Sequence, residues 1–145
     1  MHRLMFAALA GAAVTACAQP EAQLTGEALL ERGQYLVENV GGCNDCHTPM
    51  TPQGPDMARS LQGADLAFAP TIEIPWAPHA PTIAGIPGHY TEEQFATFLQ
   101  TGARPDGSHP LPPMPAFRFN AEDARAVTAY IASLPREPAQ APATP

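Results

Sequence analysis

Eighteen prolines are spread through the 145 residues of this chain. Each ring fixes φ and removes a backbone N–H, so proline is excluded from helix interiors and from central strands. Regular structure is therefore confined to the proline-poor windows, and much of the rest must be loop. At this length there is room for one domain. A domain so small and so rich in loop needs something besides apolar side chains to hold it together.

The charge pattern narrows the partners. Fourteen Asp and Glu face seven basic residues, all arginine, and lysine is absent. Nucleic acid and anionic lipid surfaces both call for clustered Lys and Arg, so neither is expected as a ligand.

The two ends read differently from the middle. His2 and Arg3 lead into the apolar run from Leu4 to Val14. That run is shorter than the roughly 20 residues that span a bilayer, but it suits a secretion signal. Val14-Thr15-Ala16-Cys17 resembles the lipobox of bacterial lipoproteins, in which the cysteine is lipidated and becomes the new N-terminus. Ala16-Cys17-Ala18 is the competing A-x-A cleavage site. The lipobox is favoured because it occupies a cysteine that has no pairing partner. The expected division is a signal at 1–16, a tether at 17–25, a folded domain at 26–135 and a disordered, Pro/Ala-rich tail at 136–145.

Three helices are expected, with no strand alternation and no repeat. The first starts with Thr25 as N-cap, places Leu29, Leu36, Val37 and Val40 on one face, and ends at Gly41-Gly42. In the second, Thr91 and Gln94 form a capping box ahead of Phe95, Phe98 and Leu99, and Gly102 closes it. The third runs from Asn120 to Leu134, with Val127, Tyr130, Ile131 and Leu134 as its apolar stripe. Gly33 stands inside the first helix, where glycine costs about 1 kcal/mol relative to alanine. A close helix crossing explains it, with Tyr130 of the third helix filling the space.

Chemistry concentrates in Cys43-Asn44-Asp45-Cys46-His47. Structural zinc wants four N or S ligands, and no second cysteine pair exists; His79, His89 and His109 are scattered through loops without ligand spacing. A thioredoxin-like disulfide wants a strand feeding a helix, and no strand is legible. C-x-x-C-H is the attachment signature of c-type haem. Thiols three positions apart add across two neighbouring vinyl groups, and the following histidine coordinates the iron as proximal ligand. Four residues compete for the opposite axial position. Met50 is too near His47 to cross to the other face, and Met57 has nothing to hold it. Met114 sits among Pro112, Pro113 and Pro115, which present its thioether at little entropic cost. His109 is the bis-histidine rival, and Met114 is preferred.

With these residues in view, the chain resembles the small class I c-type cytochromes, and more narrowly the monohaem units in cytochrome subunits of bacterial membrane-bound dehydrogenases. The resemblance covers roughly residues 27 to 135 and rests on ERGQYLVENVGGCNDCHTP, YTEEQFATFLQTGARPDG, PPMPAF and VTAYIASLP. It implies an all-α fold with three main helices around one covalent haem c and long proline-rich loops. Cys43 and Cys46 become its thioether bonds, with His47 and Met114 as the iron ligands. It also matches Gly33 and Tyr130 to the family's crossing of terminal helices. The chain departs from the pattern over 66–89, where Ala80-Pro81-Thr82-Ile83 echoes the family's Asn-Leu-Thr-Pro stretch. Trp76, Tyr90 and Arg104 are the candidates to hold the propionates.

The function expected is single-electron transfer between a dehydrogenase or respiratory donor and a downstream acceptor. The protein would lie on the periplasmic side, held to a membrane through lipid on Cys17. No catalytic nucleophile or base pair is evident, so the chain is read as a carrier and not as an enzyme. The alternative is a haem-based ligand-binding or peroxidase-like protein with an open sixth position. Without lysines, docking would rely on an apolar rim around Met114 that includes Pro112, Pro113 and Phe117.

Overall fold

The computed structural model describes residues 23–137. The expected signal at 1–16, Cys17 and residues 138–145 lie outside the described residues. Helix α1 spans Gly26–Tyr35 and continues as one π-helical turn, Leu36–Val40. Thr25 takes the extended N-cap conformation, but its hydroxyl makes no capping bond. The preceding residue is tied instead. Leu24 N–H donates to Glu122 Oε1 (3.1 Å), and its carbonyl accepts from Arg125 Nη2 (2.8 Å). The expected tether of 17–25 is thus already bound at Leu24, because two side chains of the last helix satisfy its backbone groups.

The π turn corrects a second expectation. Gly41 N–H reaches back five residues to the Leu36 carbonyl (2.7 Å), so the face shifts relative to an α-helix. Leu36 and Val37 are buried, whereas Val40 is 56% exposed. Gly42 then turns at φ 60°, which is cheap only for glycine. The short helix α2, Cys43–His47, follows directly.

The next forty-odd residues are mostly loop, with two small ladders that the sequence reading did not foresee. Strand β1 (Met50–Thr51) pairs with β2 (Gly54–Pro55), and β3 (Ala64–Asp65) pairs with β4 (His79–Ala80), both antiparallel. Two residues per strand are too few to show a period of two, so the all-α description needs this addition. One 3₁₀ turn, Met57–Arg59, lies between the ladders.

Helix α3 (Glu92–Thr101) has the expected capping box: Thr91 Oγ1 accepts from Gln94 N, and the Gln94 side chain accepts from Thr91 N. Helix α4 (Ala121–Ser133) is capped by Asn120, whose side chain accepts from Asp123 N (2.8 Å). Leu36, Val37, Phe95, Phe98, Leu99, Val127 and Ile131 meet in one core with Leu61 and Ile83 from the loops.

Gly33 sits where α1 crosses α4. A Cβ there would strike the Ala126 carbonyl oxygen and come within 2.7 Å of Tyr130 Cβ. The glycine is what lets the two backbones touch. Arg32–Asp123 (2.8 Å) and Tyr130 Oη–Glu38 Oε1 (2.7 Å) bracket the crossing. Burial, and then the Glu38 bond, push the Tyr130 phenol well above its ordinary pKa.

The chain past α4 was expected to be loose from 136 onward, yet its first residues are bonded. Arg136 donates to the carbonyls of Thr82 and Ile86, and Glu137 N–H donates to Gln62 Oε1. A polar side chain next to unpaired loop carbonyls holds the backbone where composition alone shows only Pro and Ala.

Candidate functional site

The small helix α2 is fixed from both sides by buried polar groups. Thr48 Oγ1 donates to Asn44 Oδ1 (2.6 Å) and accepts from Leu61 N (2.9 Å). Ser60 Oγ donates to the same Asn44 oxygen (2.8 Å), and Gly63 N–H donates to the His47 carbonyl (2.7 Å). Asn44 and Thr48 are both buried. Neither was singled out from the sequence, because only the fold brings residues 60–63 against them.

His47 is 6% exposed. Its Nδ1 lies 2.7 Å from the Pro81 carbonyl oxygen. A carbonyl can only accept, so the proton is on Nδ1 and the Nε2 lone pair is free. Burial lowers the imidazole pKa and keeps the ring neutral, against the opposing pull of the Pro81 bond. The bond behind the ring sets its tautomer and plane, and leaves Nε2 able to serve as a metal ligand. The Pro81 bond went unread in the sequence because its donor is a side chain 34 residues away.

A cavity of about 290 Å³ opens beside this ring. Cys43, Cys46 and His47 form part of its wall, and so do Met114, Pro113, Pro115 and Phe117 from the loop before α4. Phe95, Phe98, Leu99, Val127 and Ile131 line it from α3 and α4. Four sequence-chosen residues, Cys43, Cys46, His47 and Met114, therefore share one apolar space. The rivals do not: Met50, Met57 and His109 are absent from the lining. Met50 and Met57 are more than half exposed, and His109 Nδ1 donates to the Gly102 carbonyl (2.9 Å).

Both thiols are free, and their pKa values are raised. Burial pushes Cys43 up to about 11, and burial followed by the Asp45 charge raises Cys46. They are neutral thiols near pH 7. No group of three or more potential metal-ligating His, Cys, Asp or Glu side chains occurs among the described residues.

Of the propionate candidates, Tyr90 and Arg104 both line the cavity. Arg104 Nη1 also donates to the His109 carbonyl (2.7 Å). Trp76 lies outside the lining, packed edge-to-face on Phe68, and its indole N–H is buried without a hydrogen-bond partner.

The sequence pattern of the cytochrome c family matches residues 30–135. The chain belongs to the cytochrome c family. It is similar to the cytochrome c subunit of an alcohol dehydrogenase (quinone) of Gluconobacter oxydans, with 34% identity over 112 residues covering 75% of this chain and 22% of the relative. A fructose dehydrogenase cytochrome subunit of Gluconobacter japonicus is 32% identical over 110 residues, covering 72% and 22%. A diheme cytochrome c-type protein of Cereibacter sphaeroides is 32% identical over 111 residues, covering 72% and 35%. The chain thus spans between about a fifth and a third of the length of these relatives.

Membership implies covalently bound haem c and a role in electron transfer, and the residues present fit such a group. The cavity wall is apolar, with two neutral thiols and a ring nitrogen of fixed tautomer at one side. A Cβ on Gly41 would sit 3.3 Å from Cys43 Sγ, so the glycine leaves that sulfur clear. The Tyr90 hydroxyl and the Arg104 guanidinium, both from lining residues, are donors suited to carboxylates. When bound, haem would supply a one-electron couple, and the apolar lining would shield it from water. No described helix is long and apolar enough to cross a membrane.

Proposed function

We propose that this cytochrome c is an exported monohaem electron carrier that works with a dehydrogenase. Cys43 and Cys46 form the thioether bonds, His47 is the proximal ligand and Met114 the distal one. The observation that carries this reading is the shared cavity: two neutral thiols, a buried imidazole with its Nε2 lone pair free, and one thioether face the same apolar space. A methionine on the iron fills the sixth position and favours the ferrous form, which suits outer-sphere electron transfer better than ligand chemistry.

The deciding experiment is Met114→Ala in the haem-loaded protein. The variant should bind carbon monoxide when reduced and show a lower reduction potential, while His109→Ala should change neither. Carbon monoxide binding to the wild type, or opening of the iron by His109→Ala, would overturn the ligand assignment.

Trp76, Tyr90 and Arg104 are proposed to hold the propionates. Tyr90 and Arg104 carry this reading because both line the cavity, whereas Trp76, with its buried and unpartnered indole N–H, lies beyond the lining. Lipidation of Cys17 would anchor the carrier, because several acyl chains give the stable attachment that one does not. Intact-mass measurement of the mature protein tests it, and an unmodified N-terminus at Gln19 would exclude it.

The dehydrogenase partner is suggested by the two Gluconobacter relatives, which are named as dehydrogenase cytochrome subunits. Docking is proposed through the apolar rim beside Met114. Leu111, Phe68, Ile72 and Ile74 are all exposed, and Ala77 N–H donates to the Pro112 carbonyl (2.9 Å), which joins their two loops. Between positions 60 and 103 there is no Lys or Arg. The partner face that fits is therefore apolar with a basic border.

A further inference from the structure

Pro135, Arg136 and Glu137, which follow the C-cap Leu134 of α4, grip the two loops that surround His47. Gln62 bonds with this segment in both directions: its Nε2 donates to the Pro135 carbonyl (2.8 Å), and its Oε1 accepts from Glu137 N (3.1 Å). Arg136 reaches the other loop. Its Nη2 donates to the Thr82 carbonyl (2.8 Å) and its Nη1 to the Ile86 carbonyl (3.2 Å). Arg59 and Glu137 add an ion pair at 3.6 Å, a distance that supplies charge attraction but no hydrogen bond.

Each gripped loop carries a strained residue. Leu61 has φ 59° and Ile86 has φ 53°, and these are the described non-glycine residues with positive φ. Both side chains are buried. A β-branched or bulky residue persists in this region only where its surroundings over-determine it. The bonds to Gln62 and Arg136, made next to Leu61 and at Ile86 itself, are part of what holds them. The two loops also bind each other, through Ile83 N and Ala84 N to the Leu61 carbonyl. Between them they present the two backbone groups that hold His47: Gly63 N–H on its carbonyl and the Pro81 carbonyl on its ring.

We propose that Pro135–Glu137 is a strap that positions the iron ligand from outside the cavity, with Arg136 and Gln62 as positioning residues. Arg136 holds Thr82, the residue after Pro81, and so fixes where the Pro81 carbonyl points. That carbonyl sets the plane of the His47 ring and the strength of its Nδ1–H bond, and a ligand imidazole donates more to its metal as that bond strengthens. The strap thereby links the end of α4 to the electron-transfer couple. This inference rests on His47 being the proximal ligand.

The test uses ¹⁵N-labelled ferrous haem-loaded protein and three variants, Arg136→Ala, Arg136→Lys and Gln62→Ala. The wild-type spectrum comes first: an imidazole of His47 that is not iron-bound would overturn the ligand assignment, separately from the strap. Hydrogen exchange of the His47 ring N–H should then speed up about tenfold in Arg136→Ala and in Gln62→Ala, while the Val127 and Ile131 amides keep wild-type rates. Arg136→Lys, which can serve one carbonyl, should fall between. Gln62→Ala changes no charge, so a rise in its reduction potential reports a weakened imidazole donor directly. Unchanged ring N–H exchange in both variants would overturn the proposal. Equal acceleration at Val127 and Ile131 would overturn it too, by showing that the strap acts only on global stability.

Discussion

Gly33→Ala sets two known effects against each other at one atom. On helix propensity alone the change should stabilise α1 by about 1 kcal/mol. At the crossing it does the opposite, because the new Cβ would meet the Ala126 carbonyl oxygen and lie 2.7 Å from Tyr130 Cβ. Carbon atoms pack best at roughly 3.5–4.0 Å, so the helices must separate by about 1 Å. The obstacle is main chain and a Cβ, not the tip of a flexible side chain, so rotamer changes cannot relieve it. Overpacking of this kind costs about 1–3 kcal/mol, occasionally more. Separation would also stretch the Arg32–Asp123 and Tyr130–Glu38 contacts on either side of the crossing. The expected net loss is about 2 kcal/mol, a fall in Tm of roughly 10 °C for a domain near 110 residues. Thermal and urea unfolding of the haem-loaded protein, followed by circular dichroism, measures it. Gly88→Ala, in a turn, is the control for adding a methyl where space is open, since a Cβ there meets nothing within 4 Å. A Gly33→Ala protein as stable as the wild type would refute the close crossing.

The Tyr130 phenol gives a pH signature. Its folded pKa is raised above the ordinary value of 10.0, by burial first and by the Glu38 bond second. The unfolded chain loses this proton first, so the contribution is fully present below about pH 10 and is lost as pH rises beyond it. Unfolding at pH 8 and pH 11 should show the wild type losing more stability than Tyr130→Phe; equal losses would place the phenol outside the linkage. Docking leaves a salt signature. With a net charge of −7, electron transfer to a basic artificial acceptor should slow as ionic strength rises, and transfer to an acidic one should speed up. Ile72→Ser with Ile74→Ser should weaken the docked complex with the basic acceptor while leaving that salt slope in place. A reversed slope for both acceptors would point to a local basic surface around Arg59, Arg104 or Arg118.

Much of this protein is legible in its linear order because the signals are local. Capping depends on residues three apart, which is why the Thr91–Gln94 box was readable and is bonded as expected. The C-x-x-C-H run is likewise one helical turn, and α2 begins and ends on its first cysteine and its histidine. Gly33 was readable for another reason: a glycine inside a helix breaks a local rule, and only a neighbour's close approach justifies it.

What the sequence could not disclose depends on partners far apart in the chain. Val40 lies outside the core because one π turn shifts the face, a half-step that periodicity over so short a window cannot register. The two ladders are two residues long and leave no alternation to read. Pro81 is one proline among eighteen until His47, 34 positions earlier, bonds to its carbonyl. Arg136 stands in a stretch whose composition suggests disorder, yet its guanidinium finds carbonyls 50 and 54 residues back. Backbone carbonyls are identical in every residue, so which of them becomes the acceptor behind the His47 ring is decided by where the loops come to rest. The residue types that can bind haem are thus inherited from the sequence, whereas the bonds that aim them exist only once α4 has closed over α1 and brought the chain's end back to the loops around His47.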